Sequence, residues 1–105
     1  MSMDLYHQIA NQLESSHGVV AGQMFGKPCL KTGGKAFAAF FKEAMVFKLG
    51  REEIALVMDK YPGAALWDPS GKKRPMKDWM QVPREYHENW LSLAHQALEG
   101  LTPNS

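Results

Sequence analysis

The amino-acid sequence predicts an α+β fold, an antiparallel-rich sheet packed by helices with the elements in the order α-β-β-β-α-β-β-α. Two observations predict it. Segments at both ends and in the middle of the chain repeat apolar residues at the spacing of one helix face. The segments between them alternate apolar and polar residues or are apolar throughout, and glycine and proline separate them, which is typical of short strands joined by turns. Because no linker or repeat interrupts this order, we expect one domain over residues 1–105, with an ordered core of about 4–101.

The first helix is predicted within "MSMDLYHQIANQLESSHG". Leu5, Ile9 and Leu13 recur every four residues and form one apolar stripe of about four turns. Gly18 follows the stripe and readily adopts the left-handed conformation in which many helices end. The helix is therefore expected to end just before Gly18.

Three strands are predicted between the first and second helices. The run "VVAGQMFGKPCLK" reads as one irregular segment, an edge or bulged strand, because Gly26 and Pro28 interrupt regular ladder pairing. Gly33 and Gly34 supply the two positive φ angles of a type I′ hairpin turn. The run "AFAAFF" is apolar on both faces, which favours a central strand. After a break at Lys42-Glu43, "AMVFKL" alternates as a half-buried strand does.

The second half of the chain returns to helical spacing in "REEIALVMDKY", with acidic Glu52 and Glu53 in its first turn and Pro62-Gly63 as its stop. Two short strands, "AALW" and "MKDWMQV", follow, and the order of residues Asp68–Gly71 between them is that of a type I turn. Pro83 suits the first position of a closing helix. The second half is therefore expected to be helix, strand, strand, helix.

Aromatic and methionine residues are numerous enough to fill a core and leave some over. We expect nine of them to be core residues: Met24, Phe25, Phe37, Phe40, Phe41, Met45, Phe47, Trp67 and Trp90. A sheet that is apolar on both sides, with three modest helices to cover it, leaves an exposed patch of the kind that marks an interface. Self-association as a homodimer is therefore one hypothesis for this chain.

Length and composition restrict the class of protein. A chain of 105 residues with 45% hydrophobic and 22% charged residues is typical of one soluble globular domain. Its single cysteine excludes an intramolecular disulfide and favours a reducing, cytoplasmic compartment. The N-terminus lacks the basic region of a signal peptide, and no apolar run approaches the roughly 20 residues of a membrane helix. Twelve basic and eleven acidic residues balance almost completely, so only local clusters of charge are informative.

Two stretches carry a resemblance to a known family. The run "QMFGKPCLKTGGKAFAAFFKEAMVFKLG" resembles the signature of the TfoX amino-terminal-domain family, and "DWMQVPREYHENWLSLAHQAL" is similar to that family's closing pattern. The resemblance implies a secretion-chaperone-like α+β fold and a small bacterial protein acting as a non-catalytic protein-interaction module or as an accessory to a regulator. It supplies no catalytic residues, and the helical second domain of longer family members has no counterpart in this chain.

Three kinds of catalytic or ligand site are weakly supported. The run "CLKTGGKA" departs from the phosphate-binding loop, because Cys29 replaces its first glycine and Ala36 its hydroxyl residue. Cys29 becomes a nucleophile only if a histidine base meets it in space, so a small enzyme using this thiol is the least favoured alternative. His87 and His95 are eight residues apart on one helix, about 12 Å along its axis, too far to share a metal ion. We therefore expect no catalytic, metal or cofactor residues.

The strongest local charge feature is "KKRPMK". Its cations, together with a neighbouring tryptophan, form the candidate binding surface: Lys72, Lys73, Arg74, Lys77 and Trp79. Lysine and arginine neutralise phosphates and aromatic rings stack on bases, so nucleic-acid binding through this turn at 72–77 is the alternative function. The preferred hypothesis stays protein interaction, because no recognised nucleic-acid-binding fold accompanies the cluster.

Overall fold

The computed structural model describes residues 2–101 of the protein and shows an α+β architecture, which confirms the predicted fold class. The helices are α1 (Ser2–His17), α2 (Arg51–Val57) and α3 (His87–Leu101). The strands are β1 (Val20–Met24), β2 (Lys27–Thr32), β3 (Lys35–Phe41), β4 (Ala44–Lys48), β5 (Ala65–Trp67) and β6 (Met76–Val82). Short 3₁₀ turns follow α2 at Met58–Lys60 and precede α3 at Arg84–Tyr86. The remaining part of the predicted domain, residues 1 and 102–105, lies outside the described residues.

The strands form one antiparallel sheet in the order β1-β2-β3-β4-β6-β5. Four strands precede α2, where the sequence predicted three, because the irregular first segment is two strands joined by a turn at Phe25 and Gly26. Both turn residues have positive φ (55° and 74°), as a two-residue type I′ hairpin requires. The prediction missed this turn because its first position holds phenylalanine, a side chain that rarely adopts positive φ.

The next two hairpins also have two turn residues with positive φ. Gly33 and Gly34 have φ angles of 60° and 80°, which confirms the predicted turn between β2 and β3. Lys42 and Glu43 form the turn between β3 and β4 with φ angles of 50° and 62°, although neither is a glycine. Three tight hairpins in succession place β1 to β4 side by side, so β3 lies in the interior of the sheet as its apolar sequence predicted.

The main core lies between the three helices and one face of the sheet. The apolar stripe of α1 is confirmed, since Ile9 and Leu13 are buried there, and Trp90 from α3 is buried against the strands. The Trp90 indole Nε1–H donates a hydrogen bond to the Val82 carbonyl, with an N–O distance of 3.3 Å, and so joins α3 to β6. An irregularity in the β2–β3 register adds one residue, Phe37, to β3, and this bulge lets Phe37 enter the main core beside Ala38.

Two predictions for the second half need correction. Pro83 does not open α3; it precedes the 3₁₀ turn with an extended ψ of 160°, and α3 begins at His87. Phe25 is not a core residue, because 61% of it is exposed at the tip of the first hairpin. The predicted turn after β5 is confirmed by a hydrogen bond of 3.2 Å from the Gly71 amide to the Asp68 carbonyl.

Candidate functional site

The sheet face opposite the helices carries a second, smaller core to which the helices contribute no described residue. Its buried members are Cys29, Ala39, Phe41, Val46, Trp67 and Trp79, with Met24, Ala36 and Met76 packed against them. All nine come from strands, and they represent all six strands of the sheet. The strands therefore bury this face with their own side chains.

Trp67 packs against the other two aromatic side chains of the second core. Its ring centroid lies 5.3 Å from that of Trp79 and 5.8 Å from that of Phe41. It also lies 6.0 Å from Phe25, in the turn after β1, although β1 and β5 are opposite edges of the sheet. The sheet must therefore curl strongly toward this side, which follows the ordinary twist of strands and explains how one indole reaches both edges.

Lysine side chains surround this second core. The Lys27 and Lys42 ammonium groups lie 5.4 Å and 5.3 Å from the centroid of the Phe41 ring, within the range of cation–π attraction. Lys31, Lys48 and Lys77 fall on the same side by strand alternation, since each is two residues from a member of the second core. We call this surface the basic face; its residues are Phe25, Lys27, Lys31, Lys42, Lys48 and Lys77.

The overall charge of +1 conceals a separation of charge between the sheet and the helices. The strands with their turns and loops hold nine basic and three acidic residues, a net charge of +6. The helices with their flanking 3₁₀ turns hold three basic and eight acidic residues, a net charge of −5. The helical layer that covers one face of the sheet is therefore acidic, whereas the sheet and its connections are basic.

The loop between β5 and β6, residues 68–75, contains three of the predicted binding residues. The Asp68 carboxylate accepts hydrogen bonds from the Ser70 hydroxyl (2.9 Å) and from the Gly71 and Arg74 amides (3.1 and 3.2 Å). Partial desolvation would raise the pKa of Asp68, but these hydrogen bonds outweigh it and hold the pKa below its ordinary value. The ionised carboxylate thus organises the loop that carries the cations.

The predicted binding surface is only partly exposed. Lys72, Lys73, Arg74 and Lys77 are exposed, as a surface role requires. Trp79 is instead a member of the second core with 6% of its surface accessible, so its ring offers no stacking surface to a ligand. The prediction placed Trp79 correctly beside the lysines in sequence but not its side chain, because alternation in β6 turns Trp79 under Trp67.

Cys29 is fully buried in the second core. Burial raises the pKa of its thiol above the ordinary value, and the Lys31 ammonium offsets part of that rise. His7 lies on α1 and His87 and His95 on α3, the helices that pack on the opposite face of the sheet. The structure does not bring Cys29 together with these histidines.

Other candidate sites in the described residues are slight. No group of three or more His, Cys, Asp or Glu side chains within residues 2–101 is placed to hold a metal ion. Open depressions of about 450 and 290 Å³ meet at Leu49 and Gly50, beside the beginning of α2. Arg51 and Glu52 at the rim are exposed, so their charges act in water and would hold a ligand weakly. None of the described helices is long and apolar enough to cross a bilayer.

The sequence prediction missed Lys27, Lys31 and Lys42 as surface residues. Each lies alone between uncharged neighbours or beside an acidic one, so a search for runs of charge does not find them. The alternation of β2 places Lys27 and Lys31 on the same face of the sheet as Cys29, so this pattern could have identified both lysines from the sequence. Searches of family models, of curated proteins and of solved structures find no match to this chain.

Proposed function

We propose that this chain is a non-catalytic interaction module, of the TfoX amino-terminal-domain type, that binds an acidic partner protein through its basic face. The charge separation supports this proposal most directly: a net +6 lies on the strands and their connections, while the helices carry −5. Complementary charge steers association and suppresses wrong partners. The proposal places the protein in the cytoplasm of a bacterium, where its single thiol stays reduced.

The exposure of the aromatic residues favours a protein partner over a nucleic acid. A nucleic-acid platform offers flat rings on which bases stack. Here Trp67, Trp79 and Phe41 are buried under one another and under lysine side chains, and only the Phe25 ring is largely exposed. The cations of this surface are therefore available for ion pairs, whereas most of its rings are not available for stacking.

Binding of poly-glutamate, measured by NMR titration and by fluorescence anisotropy, tests the proposal. We expect shift changes at Lys27, Lys31 and Lys42, with an affinity that falls as salt rises because Lys42 is exposed and the other two lysines are partly exposed, so salt screens their charges. Replacing Lys27 and Lys42 together by glutamate should weaken binding roughly tenfold, at about 0.5–1 kcal/mol for each lost pair. Replacing Lys60 and Arg84 together by glutamate is the matched control, because it reverses two exposed charges in the 3₁₀ turns beside the helices. Equal effects of the two changes would refute the basic face as the binding surface.

A nucleic-acid-binding role for the basic loop is the second candidate. The ordered loop supports it, because Asp68 holds the backbone from which Lys72, Lys73 and Arg74 project. A labelled single-stranded oligonucleotide should then bind with an affinity that falls steeply with salt and drops when Lys73 and Arg74 are replaced by alanine. Failure to bind at low salt would end this candidate.

Self-association is the remaining form of the interaction hypothesis. The basic face of one copy complements the acidic helices of another, and such a contact would be salt-sensitive. Sedimentation at micromolar concentration measures it directly. A single monomeric species at low salt would remove self-association and leave the acidic partner.

A further inference from the structure

The two edges of the sheet are protected very differently. β5 has three residues, a register shift against β6, a proline-glycine pair before it and Pro69 shortly after it. β1 has five residues, "VAGQM", and contains neither a charged residue nor a proline. Short length, irregularity and proline are the usual devices that keep an edge strand from pairing with another chain. β1 has none of these devices.

The β1 edge is accessible from both sides of the sheet. Ala21 and Gln23 point toward the helical side and are nevertheless exposed, so the helices stop short of this edge. Val20 points toward the basic face and is 57% exposed. Val20, Ala21 and Gln23 are therefore accessible to an incoming strand.

The pairing of β1 with β2 determines which backbone groups are free. Met24 and Lys27 flank the two-residue turn, so they form a hydrogen-bonded pair, and Gly22–Cys29 and Val20–Lys31 are of the same kind. The alternate residues, Ala21 and Gln23, direct their N–H and C=O groups away from β2. Pro28, which has no N–H, lies opposite Gln23 in agreement with this alternation. Two residues thus present the hydrogen-bonding groups of a sheet edge to the outside.

Lys31 places a positive charge over the middle of this edge. Its Cε and Cδ atoms lie 3.2 and 3.4 Å from the point that a Cβ at Gly22 would occupy. The absence of a side chain at Gly22 therefore gives the lysine room to lie across β1. If β1 of a second copy paired antiparallel with this β1, with the two Gly22 residues opposite each other, the two Lys31 side chains would lie together over the paired strands. That arrangement is unfavourable for like charges. A strand with a carboxylate opposite Gly22 would be attracted instead.

We propose that β1 is a strand-addition site for an extended acidic segment of a partner protein, which pairs with Ala21 and Gln23 and places a carboxylate beside Lys31. This inference rests on the proposed function, since the added strand continues the basic face. Main-chain hydrogen bonds supply affinity in this mode of recognition and alternate side chains supply specificity. Val20 and Met24, on the same face as Gly22, would contact apolar residues two positions on either side of that carboxylate.

The probe is a blocked seven-residue peptide with a central glutamate, valine two positions to each side and threonine elsewhere. We expect an NMR titration of the full chain to shift the amides of Ala21 and Gln23 and to slow their hydrogen exchange. Ala21→Pro removes an outward N–H without removing a bond to β2, a position where edge strands tolerate proline. It should weaken peptide binding roughly tenfold. Should this variant fail to fold, N-methylation of the matching peptide amides gives the same test on the unaltered protein.

Charge reversal tests the second half of the proposal. Lys31→Glu should weaken binding of the glutamate peptide about two- to fivefold and favour a peptide with lysine at its centre. Lys35→Glu is the matched control, because it makes the same change in β3, away from β1. Equal losses in the two variants would overturn the placement of the carboxylate beside Lys31.

The remaining outcomes separate this inference from the proposed function. Peptide and poly-glutamate shifts at the basic-face lysines, without protection at Ala21 and Gln23 and unchanged by Ala21→Pro, would overturn strand addition alone. Absence of binding by both probes at low salt would overturn the proposed function as well. Concentration-dependent dimers that Ala21→Pro abolishes, with no peptide binding, would show that β1 pairs with a second copy and would overturn the acidic segment.

Discussion

The two faces of the sheet are both buried, but by different means. One face is covered by three helices that belong to separate parts of the chain, and the other by the strands' own aromatic, methionine and lysine side chains. In the main core, Trp90 lies under α3 and its indole hydrogen-bonds to β6. In the second core, Trp67 is as fully buried but its Nε1 has no hydrogen-bond partner. The face covered by the helices therefore contributes to stability. The face covered by strand side chains remains an outer surface of the molecule.

The largest expected effect comes from comparing these two tryptophans. Trp90→Phe removes the hydrogen bond from the indole to the Val82 carbonyl, whereas Trp67→Phe removes a buried N–H that has no partner. An ordinary hydrogen bond contributes about 0.5–1.5 kcal/mol, so Trp90→Phe should lower the free energy of unfolding by about that much more than Trp67→Phe. Urea denaturation of the two variants measures the difference. Equal losses would mean that the two cores do not differ in this respect.

Alkaline pH should destabilise the main core through Tyr6. Its hydroxyl is buried without a hydrogen-bond partner, and burial, with Cys29 and Glu14 nearby, raises its pKa well above the ordinary tyrosine value of 10.0. A pKa raised in the folded state means that the contribution to stability is complete below pH 10 and is lost as the pH rises above it, by up to about 1.4 kcal/mol per pH unit.

Tyr6→Phe isolates this effect from the titration of lysines. The variant should match or exceed the parent protein's stability at pH 7, because it removes an unpaired buried hydroxyl. Between pH 9 and 11 its urea midpoint should fall less than that of the parent. Parallel curves for the two proteins would show that Tyr6 ionises in the folded state as it does in the unfolded chain.

The turn between β3 and β4 should be improvable. Glu43 adopts a φ of 62°, a conformation in which a side chain costs about 1–2 kcal/mol. Glu43→Gly removes that strain, but glycine also raises the conformational entropy of the unfolded chain, which offsets part of the stabilisation. We therefore expect the free energy of unfolding to rise by about 0.5–1 kcal/mol. Thermal unfolding checks this, with Gly34→Ala as the opposite change at a comparable φ of 80°, expected to destabilise.

The smallest effect is expected where α2 meets the sheet. Asp78 accepts hydrogen bonds from the Arg51 backbone amide (3.1 Å) and from its guanidinium Nε (3.4 Å). The side chains of this pair are 66% and 45% exposed, so water screens the ion pair and Asp78→Asn should cost less than about 1 kcal/mol. A loss above 2 kcal/mol by urea denaturation would show that this contact anchors the helical layer more firmly than its exposure indicates.

Much of the fold was predictable from local patterns. The stripe of α1, the glycine turn after β2 and the apolar run of β3 each follow from a rule that acts over a few residues. The first hairpin was not predictable in this way, because Phe25 occupies a turn position that glycine or asparagine usually fills. The beginning of α3 was misplaced because Pro83 is compatible with both an extended and a helical neighbour.

The candidate site was predictable only in part. The run "KKRPMK" is visible in the sequence, and its four cations are exposed as expected. Lys27, Lys31 and Lys42 are scattered along the chain and reach one surface only because β2 and β3 are neighbours in the sheet. Trp79 is close to the cations in the sequence but is buried, since the position of Trp67 above it depends on the curl of the whole sheet.

The sequence by itself determined the helices and most of the strands, because backbone propensity and apolar periodicity act locally. It also determined the composition of each charged segment, although not where those segments meet. Only the tertiary structure decided that the helices cover one face, that the lysines gather on the other, and that β1 remains an open edge. These are consequences of strand order, and strand order is set by contacts between residues that are distant in the chain.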